Sequence, residues 1–172
     1  ILIFFLQESL NWTTKASSGT LVVVGIIAII VQGGLIGPLV KQFGEMRLTL
    51  IGSGFILVAC ALLITAPKEN ATINIYSAVS FLAVGAGLIT PTLRALISKK
   101  LDVDKQGSIL SNLQGLQSLG GVLGIAMAGR VYDSFGPKSP FIAGSVILLF
   151  MIYLIAEGKN NNSFNNQNSK LS

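Results

Sequence analysis

Apolar residues run along this chain in long blocks separated by short polar breaks. Ile1 to Leu6 is wholly apolar, and the polar stretch QESLNWTTKASS that follows, with Gly19, makes a break over residues 7–19. Further apolar blocks cover about 20–40, 48–66, 73–98, 107–131 and 140–156. About 20 apolar residues in a helix cross a hydrocarbon core about 30 Å thick, so each block reads as a spanning helix. The breaks between them are brief. Lys41 to Arg47 separates the first two, Pro67-Lys68-Glu69-Asn70 stops the second, and Lys99 to Lys105 is short and charged. Short connections force consecutive helices to reverse direction. The pattern therefore predicts an all-α membrane protein built as an antiparallel transmembrane helix bundle. Residues 158–172 are rich in asparagine and serine, and predict a disordered polar tail.

Composition agrees. Hydrophobic residues are 51% of the chain and charged residues 11%, against about 25% charged in soluble domains. The mean hydropathy of +0.71 exceeds what a core of this size can hide. Nothing basic precedes the first apolar stretch and no methionine opens it. Residues 1–6 are therefore read as the tail of a truncated spanning helix, not as a signal peptide. Residues 7–19 are read as an outer loop.

The net charge of +5 would point to nucleic acid in a soluble protein, but here the basic residues sit at the ends of apolar runs. Lys41, Arg47, Arg94, Lys99, Lys100, Lys105, Lys159 and Lys170 fall on one side, and Lys15, Lys68, Arg130 and Lys138 on the other. The positive-inside bias predicts a cytoplasmic 41–47 turn, 99–106 loop and C-terminus, in a plasma (inner) membrane, with the lipid bilayer as partner. Trp12, Tyr76 and Tyr132 then lie at outer ends, as an interfacial aromatic belt would.

Several chemistries lack their residues. There is no histidine, so imidazole metal sites and histidine proton relays are excluded within the chain. The single cysteine, Cys60, forms no internal disulfide. No phosphate-cradling GxxxxGK[ST] loop and no pair of carboxylates inside a span occurs, so neither an ATP-driven pump nor a membrane enzyme is expected. No cofactor and no nucleic-acid partner is expected.

The sharpest local motif is the turn Gly37-Pro38-Leu39-Val40-Lys41-Gln42-Phe43-Gly44-Glu45-Met46-Arg47-Leu48. Gly37 allows a second helix to approach, and Gly44 is expected to take a left-handed conformation in a tight turn. Arg47 reaches lipid phosphate or the negative end of a neighbouring helix. An ordinary basic loop reads equally well from these residues alone. The segment resembles the loop between the eighth and ninth helices of the major facilitator superfamily. Gly37, Leu39, Phe43, Gly44 and Arg47 match, and Lys41 stands where the first-half copy of that motif has aspartate. Val31-Gln32-Gly33-Gly34-Leu35-Ile36 resembles the end of the eighth helix in the drug/proton antiporter branch. Gly85-Ala86-Gly87 with Thr90-Pro91-Thr92-Leu93 resembles the tenth helix. Gln106-Gly107, Gln114 to Gly120, Gly124 and Tyr132-Asp133 resemble the eleventh.

The resemblance implies the C-terminal six-helix half of a twelve-helix transporter with its first helix truncated. It implies secondary active transport of a small-molecule substrate by alternating access, with protons as coupling ion, efflux as direction, and the missing N-terminal half as partner. A non-transporting scaffold or receptor, or uptake of a small metabolite, are the rival readings.

The block 107–131 carries a stripe at three- and four-residue spacing: Ser111, Gln114, Gln117, Ser118, Gly121, Gly124 and Ala128. Glutamines are costly against lipid, so Gln114 and Gln117 should face protein or a water-filled path. They and Ser118 are candidates for a substrate path, and hydrogen bonding that merely holds the bundle is the alternative. Gln32, nearer the cytoplasmic end, is a further path candidate that reads better as packing or gating. Gly120, Gly121, Gly124 and Ala128 are candidates for close helix packing. Pro91 is a candidate hinge, because proline removes a backbone hydrogen bond and bends its helix, and a static kink is the alternative. Arg94, one turn later, is long enough to snorkel to the interface.

Overall fold

The computed structural model describes residues 2–10, 12–66, 71–99 and 103–168. Six helices follow one another. They are α1 Leu2–Leu10, α2 Thr14–Phe43, α3 Glu45–Thr65, α4 Ala71–Ser98, α5 Val103–Phe135 and α6 Ser139–Asn168. The predicted stop at Pro67 to Asn70, the connection at 100–102 and residues 169–172 lie outside the described residues.

The helices overrun the apolar blocks. Most of the expected 7–19 loop is helical, and only Trp12 and Thr13 are described as non-helical between α1 and α2. The physical reason is capping: the Thr13 side chain accepts the Ala16 N–H at 3.3 Å, so the helix starts in polar sequence before the apolar block begins. At the far end the α6 backbone runs on to Asn168, through much of the segment expected to be disordered. That polar segment contains no proline to interrupt the helix.

Among the described residues, three helices are both long and apolar enough to cross a membrane: Thr14–Phe43, Glu45–Thr65 and Thr72–Ser98. The apolar blocks predict five. Helix α5 carries glutamines, Asn112 and many glycines among its apolar residues, and is not among the three. In α6 the apolar part is the shorter Ser139–Ile155.

Helices α3 and α4 form the most extensive pair, and α2 packs against α4. Gly52 and Gly85 make the α3–α4 approach possible. A Cβ on Gly85 would lie 2.6 Å from the Gly52 carbonyl oxygen, and one on Gly52 would lie 3.0 Å from the Gly85 carbonyl oxygen. Without a hydrophobic drive between helices in lipid, such backbone proximity is what lets dispersion hold them.

Two apolar clusters mark the two ends of the bundle. One joins Phe5, Leu6, Leu63, Ile75, Ala78 and Val79, with Trp12, Tyr132 and Phe141 against it. The Phe5 and Phe141 rings meet edge to face, with centroids 5.2 Å apart. The other joins Val31, Leu48 and Leu88, with Leu39, Val40 and Phe55 beside them. The end of α3 thus meets the start of α4 at one pole and the reverse holds at the other, as antiparallel helices require. Trp12 and Tyr76, whose centroids are 6.0 Å apart, share the first pole with Tyr132.

The turn between α2 and α3 is a single residue. Gly44 has φ 75° and ψ 157°, so its φ is positive as expected but its ψ is extended and not left-handed helical. The physical reason is that Gly44 serves both helices. Its N–H donates to the Val40 carbonyl at 2.9 Å, and its own carbonyl accepts from Leu48 N–H at 3.1 Å. Extended ψ aims that carbonyl along α3.

Candidate functional site

Two adjacent helices are irregular at the same level. In α2, Val31–Leu35 forms a π-helical turn, and Ile36 N–H bonds back to Val31 O. Its cause is local. Gly33 and Gly34 are weak helix formers, and the ring of Pro38 would press on the carbonyl four residues earlier, that of Gly34. In α4, Pro91 lies inside a continuous helix and leaves the Gly87 carbonyl without its N–H donor. Gly87 faces this turn of α2: a Cβ there would lie 3.1 Å from Val31 Cγ1 and 3.8 Å from Gln32 Nε2. The sequence candidates Gln32 and Pro91 therefore stand on facing irregular turns. Gln32 itself is exposed.

Beside Pro91 lies a hydroxyl network that sequence reading missed. Thr49 and Thr92 are both fully buried, and their hydroxyl oxygens are 3.1 Å apart across the α3–α4 contact. Thr92 Oγ1 also reaches the carbonyls of Leu88 and Ile89 at 2.6 and 2.9 Å. Thr49 Oγ1 reaches Glu45 O at 2.9 Å, and Ser53 donates to Thr49 O at 2.9 Å. Threonine hydroxyls are common in membrane helices as fillers, and nothing in the local pattern pairs positions so far apart in the chain.

At the same pole Lys99 makes an ion pair with Glu45, joining the end of α4 to the start of α3. Arg94 donates from its guanidinium to Gln114 Oε1, tying α4 to α5. Gln106 Nε2 donates to Ser98 O at 3.1 Å across the same connection.

The stripe on α5 is open. Gln114, Gln117 and Ser118 are exposed, and so are Gly120, Gly121 and Gly124. Ser118 Oγ donates to the carbonyl of Gln114 at 3.0 Å, within its own helix. A Cβ on Gly120, Gly121 or Gly124 would meet nothing within 4 Å, and Ala128 is half-buried. The close packing expected there has no partner among the described residues; it occurs instead at Gly52, Gly85 and Gly87. In the 37–48 turn the same holds for Gly37, which faces open space. Leu39 and Phe43 line an apolar groove of about 340 Å³ with Val31, Leu48 and Leu88, while Lys41 and Arg47 are exposed. A second cavity of about 460 Å³ lies between α2, α3 and α4, where Tyr76, Ser77 and Ser80 are among its lining residues. Neither cavity includes the α5 glutamines.

The profile of the Major Facilitator Superfamily matches residues 1–125. The chain is 26% identical over 130 residues to the class C tetracycline resistance protein of Escherichia coli, covering 76% of this chain and 32% of that protein. It is 28% identical over 157 residues to the class G tetracycline resistance protein of Vibrio anguillarum, covering 87% and 38%. It is 24% identical over 131 residues to the mouse hippocampus abundant transcript 1 protein, covering 76% and 26%. The chain thus spans about a third of the length of these relatives. No solved structure matches it.

Proposed function

The chain belongs to the Major Facilitator Superfamily, related to its drug/proton antiporter branch, and on that premise we propose that it forms the C-terminal half of a secondary transporter exporting a small organic solute in exchange for protons. The observation that carries this reading is the open face of α5. A helix with two exposed glutamines, a serine and a run of glycines needs a partner other than lipid. A second helical half and an aqueous path between the halves supply one. In this reading α5 and α6 also span the bilayer, Gln114, Gln117 and Ser118 line the path, and Gln32 gates it. Pro91 and the π turn of α2 are the points where helices bend as the halves rock. The 37–48 turn, with Gly37, Leu39, Lys41, Phe43, Gly44 and Arg47, and the C-terminus face the cytoplasm. The resistance named in the bacterial relatives makes tetracycline a first solute to try.

The test is transport by the full-length protein in proteoliposomes under an imposed pH gradient, with tetracycline and a panel of cationic and amphipathic compounds. Gradient-dependent flux that a protonophore abolishes is expected. A protein that moves none of them with the gradient is not the exporter described here.

A further inference from the structure

Arg94 counts toward the charge asymmetry, but unlike the exposed Lys41 and Arg47 it is also held against a neighbouring helix. Its side chain is exposed, and its described partner is a neutral amide, Gln114 Oε1. Among the described residues no carboxylate pairs with it; the ion pair at this pole belongs to Lys99 and Glu45. A guanidinium carries five N–H donors in a planar fork, so most remain available, with the full positive charge. The Gln114 bond holds that fork against α5. The amide NH₂ of Gln114 adds donors, and Gln117, one turn further along the same face, adds two more. Beyond them Gly120, Gly121 and Gly124 leave the surface clear. A guanidinium fork beside amide donors of the adjoining helix, with one net charge and no carboxylate paired to it among the described residues, complements an oxyanion.

An anionic lipid headgroup and an anionic solute share this chemistry, and the two helices place the donors at different distances from their ends. Gln114 lies about 16 Å along α5 from its start at Val103, and Gln117 about 4–5 Å further, at 1.5 Å per residue. Arg94 itself lies about 6 Å along α4 from its end at Ser98, so the guanidinium stands at the interfacial end and the glutamines lead inward from it. We propose that Arg94, Gln114 and Gln117 form the recognition site for an anionic group (carboxylate, phosphate or enolate) on an amphipathic solute. The proposal rests on the transport reading for the solute's route, but not for its binding.

The experiment uses a carboxylate-bearing xanthene dye and its methyl ester, which differ in one charge. Full-length wild type, Arg94→Gln, Arg94→Lys and Gln117→Leu are reconstituted in phosphatidylcholine vesicles, with and without phosphatidylglycerol. Dye binding to the solubilised protein is read separately by fluorescence anisotropy. Arg94→Gln should weaken binding and kcat/KM for the acid by about 10-fold or more, the scale of a lost charged hydrogen bond, and leave the ester within about 2-fold. Arg94→Lys should keep part of the preference, and Gln117→Leu should lose part of it. Equal losses on acid and ester, or none, overturn the proposal. So does an effect confined to vesicles containing phosphatidylglycerol, which would make this a lipid headgroup site. Binding of the acid that depends on Arg94 without gradient-driven flux would leave the site and remove the transport reading. Gradient-driven flux of the ester with no binding of the acid would do the reverse. Neither binding nor flux overturns both.

Discussion

At the scale of single residues, glycines separate into two kinds. Gly52, Gly85 and Gly44 are required where they stand; Gly120, Gly121 and Gly124 meet nothing within the described chain. Gly44 occupies backbone space that side chains almost never enter, so Gly44→Ala should cost about 1–3 kcal/mol. Unfolding of the purified protein in mixed micelles would check this, and an unchanged midpoint would show that the turn tolerates a Cβ. Gly85→Ala should destabilise more than Gly124→Ala in the 172-residue chain, because only the former drives a Cβ to 2.6 Å from backbone. Equal effects would mean that the α3–α4 approach is looser than described. From sequence all these glycines look alike, since a glycine does not announce which neighbour it admits.

At the scale of helices, the α3–α4 pair is held by backbone proximity and by the buried Thr49–Thr92 contact. Interhelical hydrogen bonds in membrane proteins average about 0.6 kcal/mol and reach about 1.7, because the unfolded chain also finds partners in the membrane. A double-mutant cycle of Thr49→Val and Thr92→Val should therefore give a coupling in that range, measured by unfolding in micelles. Additive effects would assign each hydroxyl to its own helix carbonyl alone. The paired irregularities of α2 and α4 make a second expectation. Pro91→Ala restores the missing bond donor and should raise stability while slowing transport by the full-length protein. Unchanged or faster transport would show that Pro91 is not used as a hinge. The hinge reading was legible from Pro91 itself. The π turn facing it was not, since it arises from Gly33, Gly34 and Pro38 acting together.

At the scale of the whole molecule, the charge asymmetry and the open α5 face carry the expectations. In a Cys60→Ser background, single cysteines at Lys41, Lys105 and Lys159 should react with an impermeant maleimide only from the cytoplasmic face. Cysteines at Lys15 and Lys138 should react from outside, and a reversed pattern would overturn the orientation. If the polar stripe works against a second half as proposed, the 172-residue chain alone should carry no solute in vesicles; transport by it would refute that.

Features that rest on local chemistry could be read from the order of residues. Apolar block length pointed to membrane helices, since about 20 residues match a spanning helix and are about twice the length of a spanning strand. The block boundaries were less legible, because helices continue through polar residues capped as at Thr13, and solvent permits that as readily as lipid does. The candidates Gln32, Pro91, Gln114 and Gln117 could be found one at a time, as polar or proline residues out of place in apolar surroundings. Which of them meet follows from how the helices are arranged in the fold. It set Arg94 against Gln114, Lys99 against Glu45 and Thr49 against Thr92, pairs separated by 20, 54 and 43 positions. Such contacts depend on where whole helices cross, and the crossing follows from the summed packing of Gly52, Gly85, Gly87 and their neighbours, which no local pattern encodes.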